Sequence, residues 1–158
     1  MRKFIPFLVI IFAAMISHAQ MLKPQNPPVH VKYIPATTAK AGTVADTKLE
    51  VQIDKDWHIF SEKPELNGVT ATHIDLTPSD SYTVEKIVFP KATPVYSDVF
   101  QKNLGFYTDQ FTVQIQLKLK AGVSGDIPVK GTLKYQSCSN QICMPPGKLE
   151  FTGTLKVS

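Results

Sequence analysis

The chain carries 158 residues, with 17 Lys and Arg set against 13 Asp and Glu for a formal charge of +4. The basic residues are scattered among acids with no basic run, which argues against nucleic acid or an acidic lipid surface as a partner. Only two cysteines are present, and what they mean depends on the redox compartment the chain occupies.

The first element read from the amino terminus is a leader. Arg2-Lys3, the apolar run Phe4 to Met15 and Ser17-His18-Ala19 supply the basic, apolar and small-residue regions of a signal peptide over 1–19, cleaved before Gln20. The apolar run is too short to span a bilayer; an uncleaved anchor is the alternative use of the same segment. No cysteine follows it to take a bacterial-type lipid, and no second apolar stretch reaches spanning length. The expectation is an exported, periplasmic chain, soluble after cleavage, with no stable membrane insertion and with disulfides permitted. Cleavage leaves about 139 residues, enough for one domain with a good core and too few for two.

Residues 20–28 are polar and proline-containing and read as a short tether, and 29–158 as the domain. Val29 to Tyr33 alternates briefly, as an edge strand does, and Pro35 to Asp46 reads as a loop. Leu49, Val51 and Ile53 share one strand face. The polar turn Asp54-Lys-Asp56 then either reverses the chain or bulges it. Beyond it, Trp57 and Ile59 share one face, and His58 and Phe60 the other. Thr72 to Leu76 and Tyr82 to Phe89 are further strands, the second with a bulge or change of face expected near Lys86. Pro90 to Gly105 reads as a long loop. Phe111 to Leu119 alternates without a break, Gly122 to Asp126 makes a turn, and Pro128 to Tyr135 and Leu149 to Val157 complete the set. No window carries a helical apolar repeat. The pattern predicts an all-β domain of two packed sheets, with a barrel as the alternative closure.

Between the last two strands lies Tyr135-Gln-Ser-Cys138-Ser-Asn-Gln-Ile-Cys143-Met-Pro-Pro-Gly147. A disulfide closing so short a loop removes only about 2 kcal/mol of unfolded-state entropy, which is little for a staple. Thiol–disulfide exchange, by contrast, needs two neighbouring thiols, one to attack a partner and one to resolve the mixed disulfide. Three readings of the pair stand: a redox pair, a structural disulfide in a non-catalytic binding or assembly module, and a Cu(I) site built from Cys138, Cys143, Met144 and His58.

The segment resembles the hallmark of the amino-terminal, periplasmic domain family of DsbD, a bacterial transmembrane thiol:disulfide reductase. Tyr135-Gln136-Ser137-Cys138 matches the family's Tyr-Gln-x-Cys, and Cys143-Met144-Pro145-Pro146 its Cys-x-Pro-Pro. Four residues separate the cysteines where the family usually has five. The resemblance extends through Ile53 to Phe60, Phe89-Pro90, Asp98 to Phe100 and Phe106-Tyr107.

This resemblance implies an immunoglobulin-like two-sheet β-sandwich with its cysteines near one end, under a movable cap loop. It implies the activity of a protein-disulfide reductase component, relaying electrons between exported thioredoxin-fold proteins, with disulfide isomerases and cytochrome c maturation among the destinations. No cofactor or metal is expected. Asp98-Val99-Phe100 stands where the family has its Asp-Glu-Phe cap, with Val99 in place of the second carboxylate. The resemblance thus makes Cys138, Cys143 and Asp98 the reacting and proton-handling groups. Phe100, Val99, Phe60, Tyr96, Tyr135, Pro145 and Pro146 are expected to cap or line the site. Trp57, His58 and Phe60 occupy the positions of a family Tyr-Tyr-x-Tyr run; His58 is expected on an exposed sheet face, with an acid–base group at neutral pH as the alternative. Because the sequence stops at Ser158, just after the last strand, a separate membrane electron transporter is the expected source of electrons.

Overall fold

Period-two patterning sets which strands pair and which faces they bury. The structure is a computed structural model that describes residues 26–158 except 99. Residues 1–19, read above as a signal peptide, most of the stretch 20–28 read as a tether, and Val99 lie outside the described residues.

Strands β1 (Val29–Ile34), β2 (Val44–Ile53), β8 (Gln110–Leu119) and β5 (Tyr82–Val88) form an antiparallel sheet in the order β1-β2-β8-β5. A second antiparallel sheet has the order β11-β9-β4, from β11 (Gly147–Val157), β9 (Gly125–Tyr135) and β4 (His73–Leu76). Alternate residues of both enter one core: Leu49 and Val51 of β2 and Ile115 and Leu117 of β8 join Leu133 of β9 and Leu155 of β11, all fully buried. Each such side chain contributes about 1.5–3 kcal/mol of hydrophobic stabilisation. The expected all-β, immunoglobulin-like sandwich is therefore what the chain forms, and the described residues contain no helix.

A third sheet closes one end, in the order β10-β3-β7-β6, with β10 (Ser137–Cys138), β3 (His58–Phe60), β7 (Lys102–Thr108) and β6 (Thr93–Ser97). It prolongs the sandwich. β7 leads into β8 through Asp109, at φ 56°. β3 resumes beside β7 where β2 left off beside β8, since Gln52 pairs with Gln110 and His58 with Thr108. Asp54–Asp56 thus does not reverse the chain. It extrudes a short loop, held by Trp57 N–H donating to the Asp54 carbonyl at 3.1 Å, with Asp56 at φ 68°, a conformation Asp tolerates.

The bulge expected near Lys86 is present: the β5–β8 register shifts between Val84 and Lys86. The stretch from Pro90 to Gly105 is not a long loop but carries the β6–β7 hairpin, pairing Thr93 with Phe106 and Ser97 with Lys102. The sequence hides β6 for two reasons. It is an edge strand holding Pro94, which only an edge accommodates, and four of its five residues are exposed, so no burial alternation marks it.

Candidate functional site

The third sheet is a wall with two different faces. Ile59 and Tyr107 point into the main sandwich core. Their neighbours in the strand, Phe60, Leu104 and Phe106, point the other way and form a second apolar cluster with Cys138, against which Leu66, Val69, Phe100 and Cys143 pack. Phe60 and Phe106 meet at 5.0 Å between ring centroids. His58 lies on this same face. It is the cross-strand partner of Cys138, and directly opposed residues in an antiparallel pair project to one side about 4.5–5.5 Å apart at Cβ.

After Cys138 the chain turns through Ser139–Ile142 and comes back antiparallel. Ser139 N–H donates to the Ile142 carbonyl and Met144 N–H to the Ser137 carbonyl, both at 2.8 Å. Cys138 and Cys143 therefore face each other as the pair between two hydrogen-bonded positions, where side chains of an antiparallel ladder come closest. Their Cα atoms are 4.0 Å apart and their sulfurs are joined, S–S 2.08 Å. Four intervening residues suit this tight hairpin, whose turn is held by Gln141 and Ile142 N–H donating to Ser139 Oγ at 3.3 and 3.2 Å. Gln136 anchors the returning strand. Its Nε2 donates to the Met144 carbonyl at 3.2 Å, and its Oε1 accepts from Thr70 N–H at 2.9 Å. The two cysteines end in unequal surroundings: Cys138 is 2% exposed, whereas Cys143 is half-buried.

The turn joining β6 to β7 overhangs the disulfide. It is closed by Gln101 Nε2 donating to the Asp98 carbonyl at 2.6 Å and by Tyr96 OH donating to Gln101 Oε1 at 3.3 Å. Phe100 is half-buried and meets the Phe60 ring edge-on at 6.1 Å. Between turn and disulfide lies a cavity of about 80 Å³, reached by Asp98, Phe100, Tyr96 and both cysteines. These five expected residues come together.

The other expected site residues are placed differently. Phe60 is fully buried in the cluster that packs behind Cys138 and Phe106 and does not itself line the cavity. Tyr135 does not line the cavity. Alternation along β9 turns it into the main core, where burial raises its phenol pKa. Pro145 and Pro146 are exposed beyond the cavity, and Met144 does not reach it either, so of the four residues read as a Cu(I) set only Cys138, Cys143 and His58 meet there, with the two cysteines joined as a disulfide. His58 is not the exposed sheet histidine expected. It is half-buried, lies against Phe106 at 4.3 Å between centroids and reaches the cavity, and burial holds its pKa below the ordinary histidine value. Val95, Ser97, Phe106, Ser139 and Asn140 complete the cavity and were not anticipated. A signal for Phe106 existed in its position across from Phe60, visible only once β3 and β7 are known to pair.

Phe100→Ala is expected to speed reduction of the disulfide by small thiols. It should also lower stability by less than the roughly 3–5 kcal/mol of a fully buried Phe deletion. Reduction rates with dithiothreitol, measured beside a denaturant titration, check both. An unchanged rate with a core-sized stability loss would make Phe100 a packing residue only.

Comparison with known proteins decides the affiliation. A family model described as thiol:disulfide interchange protein DsbD, N-terminal, matches residues 25–154. The chain belongs to this DsbD N-terminal family. It is therefore a thiol:disulfide interchange module, and both halves of the cysteine motif fall inside the match. Among solved structures, the N-terminal periplasmic domain of ScsB from Proteus mirabilis is 21% identical with a TM-score of 0.57, covering 84% of this chain and 48% of that one. That likeness shows the fold. The DsbD N-terminal domain of Neisseria meningitidis in the reduced form is 20% identical over 77% of this chain and 87% of that one, at a TM-score of 0.49. The complex of the DsbD and PilB N-terminal domains from Neisseria meningitidis matches at 19% identity, TM-score 0.43, over 76% of this chain and 80% of that one. No curated protein matches the chain.

Proposed function

We propose that the domain acts in the periplasm as an electron relay between thioredoxin-fold proteins, with Cys143 as the sulfur that partners reach and Cys138 as the resolving sulfur. The observation that carries this reading is the asymmetry of the pair: both cysteines line the cavity, but Cys138 is buried and Cys143 only half-buried. The rim supports it. Val95, Tyr96 and Ile142 are three of the four large apolar side chains exposed among the described residues, and they flank the disulfide rather than being dispersed. Clustered exposed apolar groups mark docking surfaces.

In the relay, a donor's thiolate attacks Cys143 Sγ, and the Cys138–Cys143 bond breaks with its electron pair on Cys138, which takes up a proton. The donor's second thiolate then displaces Cys143, so the donor leaves as a disulfide and the domain as a dithiol. The acceptor step is the reverse: Cys143 attacks the acceptor's disulfide, and Cys138 resolves the mixed disulfide, returning two electrons. Phe100 over the bond gives selectivity through access, since a partner must displace it before its thiolate can enter. Asp98 at the cavity is the carboxylate positioned to handle protons. Its negative charge also disfavours a neighbouring thiolate, so the proton must be settled elsewhere when Cys138 is released. A separate membrane electron transporter as ultimate donor, and thioredoxin-fold proteins of cytochrome c maturation among the acceptors, are part of the same proposal.

The test is the equilibrium of the wild-type pair with exported thioredoxin-fold proteins of the same cell. The expected result is electron exchange in both directions, at a potential within the range of exchange proteins. A bond that exchanges with none of them, at a potential below about −300 mV, would be a structural disulfide.

A further inference from the structure

The buried sulfur poses a chemical difficulty. Cys138 must act as a thiolate to resolve a mixed disulfide, yet it sits among Phe60, Leu104 and Phe106, and apolar burial raises a thiol's pKa. A group beside it has to take the proton. Resting on the relay proposed above, we infer that His58 is the proton acceptor for Cys138, drawing the thiol proton as Cys138 attacks Cys143 and returning it when the disulfide is reduced.

The placement is specific. In the antiparallel β3–β10 ladder His58 is opposite Cys138, and across the next pairing Cys138 is opposite Cys143. The three residues form one row on one face, and all three reach the same cavity. The imidazole is braced by the Phe106 ring on β7. Thr108, its cross-strand neighbour on that side, carries no charge. Ser139 and Asn140 of the hairpin are not titratable, and the titratable groups that the overhanging turn brings to the cavity are the Tyr96 phenol and the Asp98 carboxyl. Burial lowers the pKa of the ring and so favours its neutral form, in which one nitrogen can accept a proton. Once protonated, it forms an imidazolium beside the Cys138 thiolate and offsets the repulsion of Asp98.

The resolving step balances as follows. The Cys138 thiol proton passes to His58, and the resulting thiolate attacks Cys143 Sγ. The Cys143–partner bond breaks, and the partner sulfur leaves with the electron pair. His58 then loses its proton to water or to the leaving thiolate.

The experiment uses reduced, full-length mature protein and a chromogenic aryl disulfide. Cys143 attack releases a first aryl thiolate, and displacement by Cys138 releases a second. In His58→Gln the second phase is expected to slow by about tenfold or more at pH 7, with its pH profile moved to higher pH, while the first phase stays within about twofold. Equal slowing of both phases, or no change in the second, would overturn the proposal. Because the variant also alters packing against Phe106, the wild type is titrated in parallel by NMR of the His58 ring. Its midpoint should lie higher in the dithiol form than in the disulfide form, and identical midpoints would also overturn it. Neither readout involves a protein partner, so failure here is distinguishable from failure of the relay.

Discussion

Cys138→Ala is expected to accumulate a dithiothreitol-sensitive heterodimer with an exported thioredoxin-fold partner, while Cys143→Ala accumulates little or none. The half-buried Cys143 stays able to attack a partner disulfide, and without Cys138 nothing expels that partner. In the reverse variant the surviving thiol is Cys138, 2% exposed beneath the overhanging turn, so a partner's disulfide is expected to reach it far less readily than it reaches Cys143. Both variants lose the same cross-link, worth about 2 kcal/mol for so short a loop, so a difference in trapping is not a difference in folding. Non-reducing electrophoresis of the two variants against the same partners reads the result. Trapping through Cys138 instead would reverse the assigned roles, and trapping by neither would remove the relay.

The largest loss of stability is expected from Phe60→Ala, about 3–5 kcal/mol, which for a domain of this size lowers Tm by about 10–20 °C. Phe60 is fully buried, meets Phe106 at 5.0 Å and Phe100 at 6.1 Å, and shares its cluster with Cys138. Removing it takes away the packing behind Cys138 and the ring against which Phe100 of the overhanging turn rests. Faster reduction of the disulfide should therefore accompany the fall in Tm. Calorimetry and thiol-reduction kinetics on the same sample check the pair of effects. A loss under about 1 kcal/mol would show that the second cluster collapses around the gap rather than keeping a cavity.

How much of this was legible in the sequence depends on what each residue buries. The uninterrupted alternation from Phe111 to Leu119 gave β8 its place and its buried face, because Val113, Ile115, Leu117 and Leu119 all enter one core. The cysteine pair, Asp98 and Phe100 were legible through a motif. β6 was not, being exposed and interrupted by Pro94. Tyr135 opens the motif that points to the site, but strand alternation outranks membership of the motif and turns it into the core. For His58 the face shared with Phe60 was read correctly. That this face is the site required knowing that β10 pairs beside β3, a contact between residues about eighty positions apart that local pattern does not carry.

The two-faced wall sets a rule for which changes of length the domain tolerates. Along β3 the successive residues His58, Ile59 and Phe60 belong to site, core and site in turn. Deleting or inserting one residue within that strand would send His58 into the sandwich and Ile59 under the cysteines, because a single step exchanges the faces of a strand. The extruded loop at Asp54–Asp56 lies outside the ladder, so it can lengthen or shorten without shifting that register. Natural variation and engineered insertions should therefore collect in this loop, and the three residues of β3, His58–Phe60, should be fixed in number even where their identities change.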